Sequence, residues 1–300
     1  MAVTLPQISI VTPSFNQAEF LEASMLSVLS QNYPNLQYIV IDGGSTDGSL
    51  EIIKRYEQQL HFWCSESDGG HCNGLNKGFS HSTGEIMAWL NSDDMYCPWA
   101  LRTVASIFAA FPQVSWLTTL NPGLWDWHGY SLGFVTMSGF SREAFLDGCY
   151  LPPLDRRLAI EWIQQESTFW RRNLWEEAGA YISPEFFYAF DFDLWSKFFS
   201  FAELYGTVSP LAGFRAQINQ KTRTMDQYTV EGKIVLDRMR KKFEWRPNHV
   251  RNFIRRSDLN KVSALSSILE THCSYFGKRV VRRNMNTKAA EWDIEEHKFS

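Results

Sequence analysis

Between Gln7 and Asp94 the chain alternates short apolar, β-branched runs with helix-patterned segments, and this alternation limits its possible folds more than any other feature. Gln7 to Thr12 is the first run. Asn16, followed three residues later by Glu19, is a capping-box pattern that predicts a helix through about Ser30. Gln37 to Ile41 gives a second strand, and Asp47 is placed to cap a helix ending near Tyr56. His61 to Cys64, Asn73 to Ser80 and Glu85 to Leu90 then read as strand, short helix and strand. Strands and helices at this spacing build βαβ units, so the expected fold is α/β, a mostly parallel mixed sheet flanked by helices.

Ligands of such sheets bind beyond the carboxyl ends of the strands. Four polar loops fall there: Pro13-Ser14-Phe15-Asn16, Asp42-Gly43-Gly44-Ser45, Glu66-Ser67-Asp68-Gly69-Gly70 and Asn91-Ser92-Asp93-Asp94. Adjacent carboxylates after a buried strand repel each other, and a divalent cation removes that repulsion, so Asp93 and Asp94 are candidate metal ligands. The same pair also reads as an ordinary polar turn. Asp42 and Asp68 suit the donors of a base edge or ribose, and equally the turns their glycines favour. Neither a G-x-x-x-x-G-K-[ST] nor a complete G-x-G-x-x-G is present, which disfavours those routes to nucleotide binding. Cys64, His71, Cys72 and Cys97 lack a C-x₂-C pair and make a poor zinc set. Trp116, Trp125 and Trp127 offer sugar-stacking faces or core packing.

At 300 residues the chain can hold one large core with an appendage or two ordinary domains. Its 44% hydrophobic and 21% charged residues are those of a folded protein. Five cysteines without repeated spacing do not form a disulfide framework, and Met1 to Pro6 lacks the pattern of a signal peptide. The best apolar stretch, Trp99 to Phe111, contains Arg102 and is too short to cross a bilayer. The expected location is therefore cytoplasmic, or peripheral at the inner face of the membrane.

The net charge of −4 is unevenly spread, with 16 Lys/Arg against 10 Asp/Glu from Met225 onward, a local +6 that leaves −10 for the first 224 residues. Residues 1–224 are read as the main domain and 225–300 as a basic helical appendage, with Val230, Ile234, Val235 and Met239 on one face and Val262, Leu265, Ile268 and Leu269 on another. Its cations, among them Arg238, Arg240, Arg251, Arg255 and Arg256, suit an anionic membrane surface or a solvated face with local ion pairs. No nucleic-acid-binding module accompanies them, so no nucleic-acid partner is expected.

Val11-Thr12-Pro13-Ser14-Phe15-Asn16, Ile41-Asp42-Gly43-Gly44-Ser45-Thr46-Asp47-Gly48-Ser49, Asn76-Lys77-Gly78, Gly84-Glu85-Ile86 and Leu90-Asn91-Ser92-Asp93-Asp94 occur in order. They are followed by Gln165-Glu166-Ser167-Thr168-Phe169-Trp170-Arg171-Arg172 and Phe190-Asp191-Phe192-Asp193-Leu194-Trp195. Over roughly the first 220 residues this set resembles glycosyltransferase family 2. The resemblance implies a GT-A fold and inverting transfer from a nucleotide-diphosphate sugar of UDP, GDP or dTDP type to a hydroxyl of a glycan or lipid-linked saccharide, in surface-polysaccharide assembly. It places Asp42 and Asp68 at the nucleoside and matches Asp93 and Asp94 to a motif for Mn²⁺ or Mg²⁺. Pro13, Ser14, Asn16, Lys77, Asn91, Asp93 and Arg215 join the donor site; Arg215, Lys221 and Arg223 read either as phosphate-neutralising cations or as solvated surface charges.

The resemblance aligns the general base with Asp191, where Phe190 replaces an acidic residue; Asp193 is read as a helix cap. Gln217 stands where many relatives carry a histidine that adds a metal or diphosphate contact. Lacking a membrane span and a Q-x-x-R-W motif, the chain is read as non-processive. The alternative is a non-catalytic nucleotide-sugar or carbohydrate-binding module of the same fold, which Phe190 and Gln217 keep open. A nucleotidyltransferase requires a Gly-rich basic loop after the first strand, which Thr12 to Asn16 does not provide.

Overall fold

The computed structural model describes residues 5–152, 161–217, 225–248, 251, 274–283 and 292–299. Strands β1 (Ile8–Ser14), β2 (Leu36–Asp42), β3 (Phe62–Ser65) and β4 (Ile86–Trp89) alternate with helices α1 (Ala18–Leu29), α2 (Ser49–Tyr56) and α3 (His71–Ser80), as the apolar pattern predicts. These strands are parallel in the order β3-β2-β1-β4. All seven residues of β1 are buried, which fits a strand covered on both faces. The register sets Ser14 beside Asp42 and Asp42 beside Ser65, so the loops after these strands open side by side.

The start of α1 differs from the predicted capping box. Asn16 has a left-handed φ of 51° and bridges outward: its N–H donates to Ser45 Oγ (2.7 Å) and its Oδ1 accepts the Thr46 N–H (2.9 Å). Asp47 caps instead, accepting the Ala18 N–H (2.8 Å) with Oδ2 and the Ser49 N–H (3.1 Å) and hydroxyl (2.7 Å) with Oδ1. One carboxylate thus satisfies the first turns of both α1 and α2. On the other face Gly78 lets α3 approach the sheet, since a Cβ there would stand 2.3 Å from Val11 Cγ1.

Beyond β4 come β5 (Met95–Tyr96), α4 (Ala100–Ala110), β6 (Trp116–Thr119), β7 (Gly123–Trp125), β8 (Ser131–Phe134) and α5 (Arg142–Leu146). They are followed by β9 (Phe169–Arg171), α6 (Arg172–Glu177), α7 (Phe190–Phe198), β10 (Tyr205–Thr207), β11 (Ala212–Arg215) and α8 (Met225–Lys242). β9 inserts antiparallel between β4 and β6, and β10 extends the sheet in parallel. β5, β11, β7 and β8 form a second, four-stranded sheet. Trp89, Trp116, Trp170 and Trp195 fill the core, Trp89 stacked on Trp195 at 5.7 Å between ring centroids. Trp116 therefore serves packing, as does the buried Trp125; Trp127 instead donates to Glu19 Oε1 (2.7 Å).

The C-terminal segment corrects the expectation of a wholly helical appendage. α8 forms, with Val235 and Met239 buried but Val230 and Ile234 exposed. The chain then returns as β12 (Tyr275–Arg282) and β13 (Trp292–Phe299), which join the large sheet beside β10, making nine strands among the described residues. Helical periodicity cannot reveal this, because the partner of β12 lies some 70 residues upstream. Val262, Leu265, Ile268 and Leu269 lie outside the described residues.

Asp147 ties this segment to the main body. It accepts the Trp245 Nε1–H (2.9 Å), the Asn248 N–H (3.2 Å) and the Tyr275 hydroxyl (2.8 Å). Much of the segment's positive charge is paired: Arg238 with Glu185, Arg240 with Asp237, Arg251 with Glu143 and Asp147, Arg279 with Glu295, and Arg283 with Asp293. Arg255 and Arg256 lie outside the described residues. No described helix is long and apolar enough to cross a membrane.

Candidate active site

Three of the polar loops meet at the ends of β1, β2 and β3. Asp42 is buried and its carboxylate is occupied from within: it accepts the Gly44 N–H (3.2 Å), the Ser45 N–H (2.9 Å) and hydroxyl (2.5 Å), and the Ser65 hydroxyl (2.6 Å). It shapes the loop that carries Gly43. Asp68 accepts the Gly70 N–H with Oδ1 (2.8 Å), and a Cβ at Gly43 would touch both Asp68 and the exposed Phe15 ring. Gly74 makes room for the same acid, since its Cβ would stand 2.6 Å from Asp68 Oδ2. Phe15, Gly43 and Asp68 thus border one slot. Lys77 pairs with Glu66 across the loop after β3. Pro13 and Ser14 close β1, and the buried Ser14 Oγ has no hydrogen-bond partner among the described residues.

The Asn91-Ser92-Asp93-Asp94 turn divides its two acids. Asp94 points inward, where Oδ1 accepts the Arg215 N–H (2.9 Å) and Oδ2 the Asn91 amide (3.2 Å). Burial, then the charges of Asp93 and Glu166, push its carboxyl well above the ordinary range. Asp93 is less buried and accepts the Gln217 amide with Oδ2. Both oxygens of Asp94 thus accept donors of the turn, while Asp93 turns toward Gln217. Arg215 is likewise placed below the site. Its Nε donates to Asp93 O (2.6 Å) and its Nη1 to Trp127 O (2.9 Å), while the guanidinium lies 5.2 Å from the Phe20 ring centroid. These contacts brace the Asn91 turn. Lys221 and Arg223 lie outside the described residues.

Asp191 and Asp193 both fall in the first turn of α7, which begins at Phe190. Asp193 does not cap the helix: it pairs with Lys197 one turn on (2.7 Å), and the N-cap is Ala189. Asp191 keeps part of its surface open, while Oδ1 accepts the Phe192 N–H (2.7 Å) and Oδ2 faces the Tyr228 hydroxyl (3.4 Å). Burial raises its carboxyl to about 6, and those two donors hold it back from rising further. Phe190, where the resemblance expects an acid, packs inside against Trp89 and His71.

Glu166 has no role of its own in the sequence pattern, and the structure puts it between the two halves. It is buried in a 3₁₀ turn at Gln165–Ser167, and its carboxyl is raised to about 7 by burial and by the charges of Asp93 and Asp191. An acid in the otherwise uncharged run from Ile163 to Trp170 was the available signal. Asn91 reaches the same turn, donating to Gln165 Oε1 (3.0 Å), and its Oδ1 is buried without a partner among the described residues.

The described residues contain no cluster of three His, Cys, Asp or Glu side chains suited to a metal. One carboxylate with a neighbouring carbonyl oxygen nevertheless suits a cation of the Mg²⁺ type, which takes its remaining ligands from substrate phosphates and water. Asp93 and the unpartnered Asn91 Oδ1 meet that description.

A large parallel-rich sheet with acidic loops beyond its strand ends and a smaller sheet alongside is the GT-A architecture of sugar-transferring enzymes. Solved structures agree in fold: S. aureus TarS 1-349 in complex with UDP-GlcNAc aligns with a TM-score of 0.58 at 16% identity, covering 89% of this chain and 76% of that one. The mannosyltransferase PcManGT from Pyrobaculum calidifontis, in complex with GDP-Man and Mn²⁺, aligns at 0.51 and 18% identity, covering 73% and 59%. Residues 9–144 match the model described as Glycosyl transferase family 2, and the chain contains a domain of that family. An uncharacterized glycosyltransferase of Rickettsia typhi is 27% identical over 220 residues, 73% of this chain and 67% of its own length. TuaG of Bacillus subtilis, named for teichuronic acid biosynthesis, is 34% identical over 94 residues, 30% of this chain and 37% of its own. The chain thus spans about two thirds of one relative and about a third of the other.

Proposed function

We propose that the chain transfers a sugar, with inversion, from a nucleotide-diphosphate donor to a hydroxyl of a glycan or lipid-linked saccharide in surface-polysaccharide assembly. The observation that supports this reading is a partly exposed carboxylate, Asp191, at the start of α7, with the buried Glu166 close enough to both Asp191 and Asp93 for their charges to act on it. Phe15 and Asp68 border the nucleoside slot, with an aromatic face for a base and a carboxylate oxygen for ribose hydroxyls. The diphosphate extends from there past Ser14 to the Asn91 turn. Mn²⁺ or Mg²⁺ would be held by Asp93 with Asn91 Oδ1 near, and would supply Lewis-acid stabilisation of charge on the departing diphosphate. Asp191 accepts the proton of the acceptor hydroxyl as that oxygen attacks the anomeric carbon from the opposite side.

The ligands of the structural neighbours, UDP-GlcNAc in one and GDP-Man with Mn²⁺ in the other, support a nucleotide sugar and a divalent ion. The name of TuaG supports a surface polymer as the destination. The test is the anomeric configuration of the product by ¹H NMR, after a donor panel screened with Mn²⁺ has identified the sugar. Opposite configuration in donor and product is expected, whereas retained configuration would overturn direct displacement.

A further inference from the structure

Helix α8 presents Tyr228, Glu231, Val235 and Arg238 at a spacing that places them on one face. Three of these grip the segment that carries Asp191. The two carboxylate oxygens of Glu231 accept three consecutive backbone N–H groups, Phe187 (3.2 Å), Tyr188 (2.7 Å) and Ala189 (2.8 Å), immediately before the first turn of α7. Arg238 forms a two-pronged ion pair with Glu185 (2.8 and 2.5 Å) and lies over the Phe186 ring. Tyr228 faces Asp191 Oδ2 at 3.4 Å and packs edge-on to Phe192. The backbone leading into α7 has no side-chain cap of its own, so this grip from another element replaces one.

From this geometry we infer that Tyr228 and Glu231 are positioning residues for the base, Tyr228 orienting the Asp191 carboxylate and Glu231 fixing the backbone from which it projects. The inference rests on the reading of Asp191 as base, and it gives the C-terminal segment, which lies outside the matched family region, a part in the reaction. Glu231 acts at a distance from the acceptor: three charge-assisted N–H bonds hold residues 187 to 189, which sets the direction of the Asp191 Cα–Cβ bond. Tyr228 acts on the carboxylate itself. A hydroxyl donor favours the ionised form, so removing it raises the pH at which Asp191 becomes a competent base.

The test uses the full chain and two readouts. In the first, the Asp191 carboxyl is titrated by ¹³C NMR, its signal assigned by its loss in Asp191→Asn, in wild type and in Tyr228→Phe. An upward shift of about half a unit to one unit is expected, and an unmoved titration overturns the role of Tyr228. In the second, kcat and donor KM are measured for Glu231→Gln and Glu231→Ala. Loss of kcat in the order wild type, Gln, Ala, reaching about 10- to 100-fold for Ala with donor KM unchanged, is expected, because Gln keeps one acceptor oxygen. Faster amide exchange at residues 187 to 189 in Glu231→Ala accompanies it; unchanged exchange and unchanged kcat overturn the role of Glu231. Asp191→Asn separates the two ideas: wild-type turnover in that variant rejects Asp191 as base, whereas a dead Asp191→Asn with an unmoved Tyr228→Phe titration rejects only the positioning by Tyr228.

Discussion

Replacing Asp191 by Asn should make the protein more stable while stopping the reaction. Burial raises this carboxyl from its ordinary 3.8 to about 6. At about 1.36 kcal/mol per unit, keeping it ionised in the folded state costs on the order of 3 kcal/mol, reduced toward 1–2 kcal/mol by solvent at its open side. Below pH 3.8 both folded and unfolded chains carry the proton and there is no cost. Between about 4 and 6 the unfolded chain ionises first, so stability falls as pH rises. Above 6 the whole cost is present and constant. Asn fills the same volume, can accept the Phe192 N–H through its oxygen and meets Tyr228 with its amide. Urea unfolding of wild type and Asp191→Asn at several pH values reads this directly: a gain of about 1–3 kcal/mol at pH 8 that shrinks toward zero near pH 4 is expected. A variant no more stable than wild type at pH 8, or a gain independent of pH, would refute the argument that Asp191 is held ionised against a burial penalty. Transfer by the wild type should fall on the acid side with an apparent pKa near 6, followed as kcat/KM.

The two acids of the Asn91 turn should separate cleanly. Asp93→Asn is expected to raise the Mn²⁺ concentration needed for donor binding by tenfold or more, roughly the loss of 1.4 kcal/mol, in a calorimetric titration. Asp94→Ala should leave that titration near wild type but lower folding stability by about 1–3 kcal/mol, because the buried Arg215 N–H loses its acceptor. Asp147→Ala strands the Trp245 and Tyr275 donors and should cost about 3–5 kcal/mol in urea unfolding. Gly78→Ala drives a methyl into Val11 and should cost at least about 2 kcal/mol by the same assay; a loss under about 0.5 kcal/mol would show that α3 can shift away freely.

The parts of this molecule that were legible in sequence are those set by local pattern. β1 to β4 and their helices follow from apolar periodicity, and the clustering of loops at one edge follows from parallel strands. What escaped depends on partners distant in the chain. β12 and β13 join a sheet begun about 270 residues earlier, and no periodicity in a basic tail announces that. Asp93 and Asp94 look equivalent as neighbours, but the Asn91 amide and the Arg215 N–H, 121 positions on, hold Asp94 inward. The charge of Arg215 is visible in the sequence, whereas its carbonyl partners at 93 and 127 are not. The capping of α1 from Asp47 is a contact across 29 residues that displaced the local Asn16 pattern.

The central claim assigns leaving-group binding to the Asp93 turn and proton removal to Asp191. Its most direct test is release of nucleoside diphosphate by the full chain, with the donor and acceptor identified by screening, in wild type and Asp191→Asn, each with Mn²⁺ and with chelator. The account predicts acceptor-dependent release by the wild type only with the metal, and none by Asp191→Asn although that variant still binds donor. Release by Asp191→Asn at the wild-type rate, or donor binding by the wild type without release to any acceptor, would contradict it.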